Sequence, residues 1–172
     1  METAIDLMNA QPFVMTSSTE FADLYERHYA AVYRTALRVT GNTADAEDAL
    51  QTVFLRVLNQ GGRLDLAHTP EAYFRRAATN AAVDLLRKKI LHAETPLDHA
   101  SSLTAKESPA LLKEQLRRAI AALDPDDAMI FLLRYVEGMS NGELADMFGQ
   151  DKNSVAVRLH RIRQVLQSEM ER

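Results

Sequence analysis

Apolar residues return every three or four positions through almost the whole chain, and almost nowhere in the strict alternation of a half-buried strand. That spacing predicts helices from Thr19 to about Lys89, broken at Gly41-Asn42 and Gly61-Gly62, so three helices fall in the first half. On the second, Ala44 to Leu58, the inward stripe is Ala46, Leu50, Val53 and Val57, with Ala49 and Phe54 at its margins. On the third, Glu71 to Lys89, Phe74, Ala78, Ala81 and Leu85 share one side. Residues 90–109 contain Pro96, Pro109 and a Ser-Ser pair without sustained apolar period, the composition of a linker. Helical spacing resumes at Ala110, and Asp124-Pro125 supplies a cap followed by proline at the first helical position, opening a helix that runs to about Glu137 and closes at Gly138. The expected fold is all-α: two small helical domains, residues 19–89 and 110–172, joined by a flexible linker. Ahead of them residues 1–18 read as a disordered tail, in which Ile5, Leu7 and Met8 could form a short docking turn.

Residues 140 to 163 carry the most specific local pattern, a helix-turn-helix. Ser140 can cap a helix while Glu143, three residues on, answers the free backbone amide in a capping box. Leu144, Ala145 and Phe148 make that short helix's apolar stripe, and Gly149 is placed to take the left-handed turn that ends it. Asn153 or Ser154 can cap the next helix, where Val155, Leu159, Ile162 and Leu166 point inward. At about 100° per residue the other face shows Asn153, Val157, His160, Arg161 and Gln164, with Ser154 and Arg158 to one side. A recognition helix has this layout: its first residues approach base edges in the major groove while nearby cations hold phosphates. An ordinary helical hairpin with a solvated basic face is the competing reading of this segment.

Charge first argues against DNA, since 24 acids outnumber 20 Lys and Arg for a net −4. Its distribution answers the objection. Acids gather in residues 42–48 and 124–146, whereas Arg75, Arg76, Arg87, Lys88 and Lys89 form one basic group and Lys152, Arg158, Arg161 and Arg163 another. Weak unaided DNA affinity follows, and with it the need for a larger partner to deliver the chain to DNA. The absence of cysteine excludes disulfides, thiol nucleophiles and cysteine-ligated zinc. Histidines at 28, 68, 92, 99 and 160 lack metal spacing and no glycine-rich phosphate loop is present, so neither enzyme chemistry nor a cofactor is expected. Without a signal-peptide pattern or a long apolar run, a cytoplasmic protein with no direct membrane insertion is expected.

Two faces of the first domain invite partners. Opposite the stripe on the second helix, Asp48, Gln51 and Leu55 lie together within a frame of Asp45 and Glu47, an exposed leucine among groups that steer a basic protein. The alternative is a solvated helix face. On the third helix Tyr73, Arg76, Asn80, Asp84 and Arg87 form a row suited to single-stranded nucleic acid, where rings stack on bases, amides read edges and arginines hold phosphates. Here the alternative is ordinary ion pairing of Asp84 with Arg87 or Lys88.

Three segments in order, Asp45-Ala46-Glu47-Asp48-Ala49-Leu50-Gln51-Thr52-Val53-Phe54-Leu55, the run from Tyr73 to Arg87, and the helix-turn-helix, resemble an extracytoplasmic-function (ECF) sigma factor of the sigma-70 family. The likeness spans nearly everything from Thr19 to Glu169. It implies a subunit that binds core RNA polymerase and directs it to promoters. Asp45, Asp48, Gln51, Thr52 and Leu55 would meet the clamp of the largest polymerase subunit. Tyr73, Arg76, Asn80, Asp84, Arg87 and Lys88, with the loop from Gly61 to Thr69, would hold the melted minus-ten element, including a flipped base. Lys152, Asn153, Ser154, Val157, Arg158 and Arg161 would read the minus-35 element as duplex. The resemblance also implies an anti-sigma factor as partner; the Pro-Glu-Ala-Tyr start at residue 70 and the run from Ala78 to Asp84 are similar to the iron-transport branch, whose regulators often span the membrane. Tyr73 stands where the family often has tryptophan, and Ala156 and Val157 where many relatives are polar, which implies more reliance on DNA shape. The alternative function is a helix-turn-helix regulator that binds a two-fold symmetric duplex site without polymerase.

Overall fold

In the computed structural model, residues 13–14, 18–60, 63–64, 69–93 and 108–171 are described. Helix α1 (Ser18–Thr40) buries Leu24, His28, Val32, Thr35, Ala36 and Val39 along one stripe, and ends where Gly41 takes a positive φ of 74°. Helix α2 (Thr43–Asn59) starts at Asn42, whose side chain accepts from the Asp45 amide at 2.9 Å. Helix α3 (Pro70–Ala93) opens with proline in its first position and Thr69 Oγ1 accepting from the Ala72 amide. These three helices pack on one another as the first half.

In the second half α4 (Pro109–Ala122) is capped by Ser108 and α5 (Pro125–Tyr135) by Asp124, each followed at once by proline. The α5 helix stops two residues short of Glu137, and Gly138 then turns the chain with φ 73°. Helix α6 (Asn141–Phe148) has the expected capping box at Ser140 and Glu143 and the left-handed Gly149 at its end. Helix α7 (Lys152–Met170) sends Val155, Leu159, Ile162 and Leu166 inward.

Several expectations need correction. The α7 cap is Asp151, not Asn153 or Ser154: its carboxylate accepts from both of their amides at 2.9 Å, which starts the helix earlier and leaves those two in the first turn. On α2 the fully buried residues include Ala49 and Phe54, while Leu50 is only half-buried, because α1 and α3 cover that flank together. On α3 burial is two-sided. Phe74, Ala78 and Ala81 are covered, and so are Thr79, Ala82, Val83 and Leu86, since α4 and α5 also pack against this helix. The buried apolar residues of both halves consequently form a single continuous cluster.

Most of the tail, including Ile5, Leu7 and Met8, and residues 94–107 of the linker lie outside the described residues. Phe13–Val14 (β1) pairs antiparallel with Arg63–Leu64 (β2), a two-residue ladder beside the helices. No described helix is long and apolar enough to cross a membrane.

Candidate nucleic-acid interface

Both helices of the helix-turn-helix are fixed at their N-termini. Ser140 Oγ accepts from the Glu143 amide at 3.2 Å while Glu143 Oε2 accepts from the Ser140 amide at 2.7 Å. The Ser140 backbone donor is the main reason the Glu143 carboxyl is held below the usual carboxylate range. At the head of α7, Ser154 Oγ donates to Asp151 Oδ2, and this bond, followed by those from the Ser154 and Asn153 amides, lowers the Asp151 carboxyl likewise. Lys152, Asn153, Ser154, Val157 and Arg161 are all exposed on the first two and a half turns of α7. Arg158 is more restrained: its Nε donates to Asp127 Oδ1 at 2.5 Å from the first turn of α5. Asn153, Ser154, Val157, Arg158 and Arg161 line one groove with Asp124, Asp127, Gly149 and Gln150. A guanidinium at Arg161 beside exposed amide and hydroxyl groups at a helix N-terminus can contact phosphates and base edges together.

On α3 the expected row is present but partly engaged. Tyr73 is half-buried, its ring edge-on to Phe74 with centroids 5.3 Å apart, and burial raises its hydroxyl above the ordinary range. Asp84 meets Arg56 of α2 at 3.6 Å rather than Arg87 or Lys88. Arg87 reaches out of its own half to the Ala121 and Leu123 carbonyls, at 3.0 and 2.8 Å. Arg76 lies over the Phe148 ring, 5.2 Å from its centroid. Asn80 is half-buried and Lys88 exposed. In the preceding loop only Arg63, Leu64 and Thr69 are described.

The third face, on α2, keeps Asp48, Gln51 and Leu55 exposed, Leu55 at 55% of its surface, with Thr52 half-buried beside them. Asp45 departs from its expected place. It is 7% exposed and turned inward, where Asn42 Nδ2 at 2.6 Å and Lys89 Nζ at 2.5 Å hold its carboxylate. Sequence reading did not single out the aromatic ridge next to this face: Tyr25 stacks on Tyr29, centroids 5.5 Å apart, and leans on Phe54 at 4.7 Å, with both tyrosines exposed and Leu58 near the same level of α2. Phe21, Tyr25 and Tyr29 at spacing four were the available signal.

Comparisons with known proteins bear on the family and the fold. Sigma-70 region 2 matches residues 24–90, and Sigma-70, region 4 matches residues 113–166. RNA polymerase sigma factor CarQ of Myxococcus xanthus is 31% identical over 146 residues, covering 82% of this chain and 83% of that protein. ECF RNA polymerase sigma factor SigE of Mycolicibacterium smegmatis is 30% identical over 152 residues, which are 84% of this chain but 59% of that longer protein. Among solved structures, CnrH in complex with the cytosolic domain of CnrY shares the fold at a TM-score of 0.52 and 20% identity, covering 91% of this chain and 90% of that one. The sigma factor RpoE in complex with the anti-sigma factor NepR from Bartonella quintana does so at 0.50 and 16%, covering 89% and 98%. With regions 2 and 4 matched in order across a helical chain, and a relative 31% identical over most of both lengths, the protein belongs to the ECF sigma factors of the sigma-70 family.

Proposed function

We propose that this chain is a dissociable promoter-recognition subunit of bacterial RNA polymerase, working in the cytoplasm. The observation that carries the reading is the exposed head of α7, where Asn153, Ser154, Val157 and Arg161 stand clear of a capped and rigid helix-turn-helix. That is the geometry for duplex DNA, here the minus-35 element. Tyr73, Arg76, Asn80, Arg87 and Lys88 supply the single-stranded minus-ten contacts, and Asp84 steadies α3 against α2 through Arg56.

Core polymerase docks on α2 through Asp48, Gln51, Thr52 and Leu55, and the Tyr25–Tyr29 ridge widens the apolar part of that surface. Asp45 serves it indirectly, holding the start of α2 through Asn42 and Lys89. A net charge of −4 suits a subunit that borrows most of its DNA affinity from polymerase. Anti-sigma control, as in the named Bartonella complex, extends to this chain in the proposal, with a membrane-spanning regulator of the iron-transport kind supported by the motifs at residues 70–73 and 78–84.

The test is a pull-down with purified bacterial core polymerase, followed by transcription from a genomic fragment library. Binding with new start sites is the expected result. Duplex binding without any affinity for core would instead make the chain a free-standing regulator.

A further inference from the structure

Two arginines one helical turn apart on α7 have different surroundings. Arg161 is exposed, and among the described residues no carboxylate meets it. Arg158 is half-buried, and its Nε donates to Asp127 Oδ1 in the first turn of α5, 31 residues earlier in the chain. Both side chains of that pair keep less than a third of their surface, 27% and 31%, so water competes for the bond less than at an open surface pair. Asp127 is no part of the helix-turn-helix itself; it comes within reach because α5 packs against α7.

A guanidinium carries five N–H donors in one rigid plane, so fixing Nε sets the direction of the other four. Among the described residues no acceptor meets Nη1 or Nη2 of Arg158, which leaves the end of the fork for a ligand. Two parallel donors held in this way match O6 and N7 of guanine in the major groove. The ordering of a long, flexible side chain, otherwise a cost met on binding, is already done.

Charge decides between base edge and phosphate. The groove holds the carboxylates of Asp124, Asp127 and Asp151 against the guanidiniums of Arg158 and Arg161, an excess of one negative charge. A phosphate entering it is repelled, and Asp127 at contact distance answers most of the charge on Arg158. Long-range pull on a phosphate is lost by that pairing, whereas directional hydrogen bonds to a neutral base edge survive it.

We propose that Asp127 is a positioning residue for base recognition: by holding Nε it aims Nη1 and Nη2 of Arg158 at guanine, and the two side chains act as one guanine-selective unit in the duplex site. The proposal rests on the reading of α7 as the duplex-reading helix and extends that reading to α5.

The test is a selection from duplexes carrying twelve randomised base pairs, made with the full chain bound to core polymerase and, separately, with the full chain alone. Wild type should enrich guanine at one position, and Arg158→Lys, which keeps the charge and loses the fork, should abolish that preference. Asp127→Ala should cut the guanine preference about tenfold at the same position and leave the other positions unchanged. Asp127→Asn, which keeps an oxygen to accept from Nε, should retain most of it. A loss spread evenly over all positions is the mark of a merely structural bond and overturns the proposal. So does a guanine preference indifferent to Asp127→Ala or to Arg158→Lys, an Asp127→Asn as defective as Asp127→Ala, or a wild type that selects no sequence in either arm. The same Asp127 dependence in the free chain, with core polymerase ignored, supports the pair and refutes the sigma-factor reading alone.

Discussion

Replacing Gly41 by alanine is expected to cost more than the same change at Gly149, although both glycines sit at helix ends with positive φ, 74° and 61°. An L-residue in the left-handed region loses about 1–2 kcal/mol. The smaller freedom of the unfolded chain returns roughly 0.5 kcal/mol, leaving a net cost of about 1 kcal/mol at either site. At Gly149 nothing lies within 4 Å of the new Cβ, so the cost ends there. At Gly41 the Cβ would occupy the place of the Arg117 guanidinium, 1.8 Å from Nη2 and 2.4 Å from Cζ. Arg117 must withdraw and release the Val39 carbonyl, and a 3.3 Å bond from a part-exposed side chain is worth about 0.5–1.5 kcal/mol. The total at Gly41 is therefore about 1.5–2.5 kcal/mol, several degrees in midpoint temperature for a chain of this size. Urea unfolding of Gly41→Ala, Gly149→Ala and Arg117→Ala, with Gly41→Ala repeated in the Arg117→Ala background, measures the coupling directly. In that background the cost at Gly41 should fall to about 1 kcal/mol. Equal costs at the two glycines, or an undiminished cost once Arg117 is gone, would refute the reasoning.

Three further outcomes are expected. Leu55→Asp places a charge in the centre of the exposed α2 face and should abolish competition for core polymerase while leaving duplex binding by α7 intact; normal competition would mean that polymerase docks elsewhere. Arg161→Ala should weaken promoter use by about 5- to 150-fold, as for loss of a contact worth ~1–3 kcal/mol, with core binding unchanged, as read by run-off transcription beside a pull-down. His28, buried and stacked on Phe74 at 4.5 Å, has its pKa lowered below 6.5, first by burial and then by Arg27, against the opposing pull of Glu71. The unfolded chain then takes up the proton first, so stability should decline as pH falls below 6.5, by at most about 1.4 kcal/mol per pH unit. His28→Phe should flatten that decline, and an unaltered profile would assign it to other groups.

What the sequence made legible was whatever short-range rules govern. The Ser140 and Glu143 box, the turn at Gly149 and the Asp124-Pro125 start each depend on residues within four positions of one another, and each stands as read. Competition among neighbours was harder, since Asp151, Asn153 and Ser154 can all cap and only the geometry of the turn selects Asp151. Long-range pairing was not readable. Asp45 sits in an acidic run and reads as surface, yet its partner Lys89 lies 44 residues away. Arg87 sits in a basic group and reads as a phosphate ligand, yet its acceptors are backbone carbonyls 34 and 36 residues on, which no side-chain pattern encodes. The second buried flank of α3 escaped because Thr79 and Ala82 are too small to mark a stripe, and because Val83 and Leu86 find their cover in the other half.

On the proposed function, the bond between Ser154 and Asp151 has a consequence for the alphabet α7 would read. With its proton committed to the carboxylate, the Ser154 hydroxyl has only lone pairs to offer DNA. A phosphate oxygen cannot donate to it, so this serine is no backbone anchor. Among base edges in the major groove only an exocyclic amino group, N6 of adenine or N4 of cytosine, can donate to it, so under the proposed minus-35 role it would disfavour the carbonyl edges of guanine and thymine. Under that role, a cap that begins the helix would also set the polarity of one letter in the site.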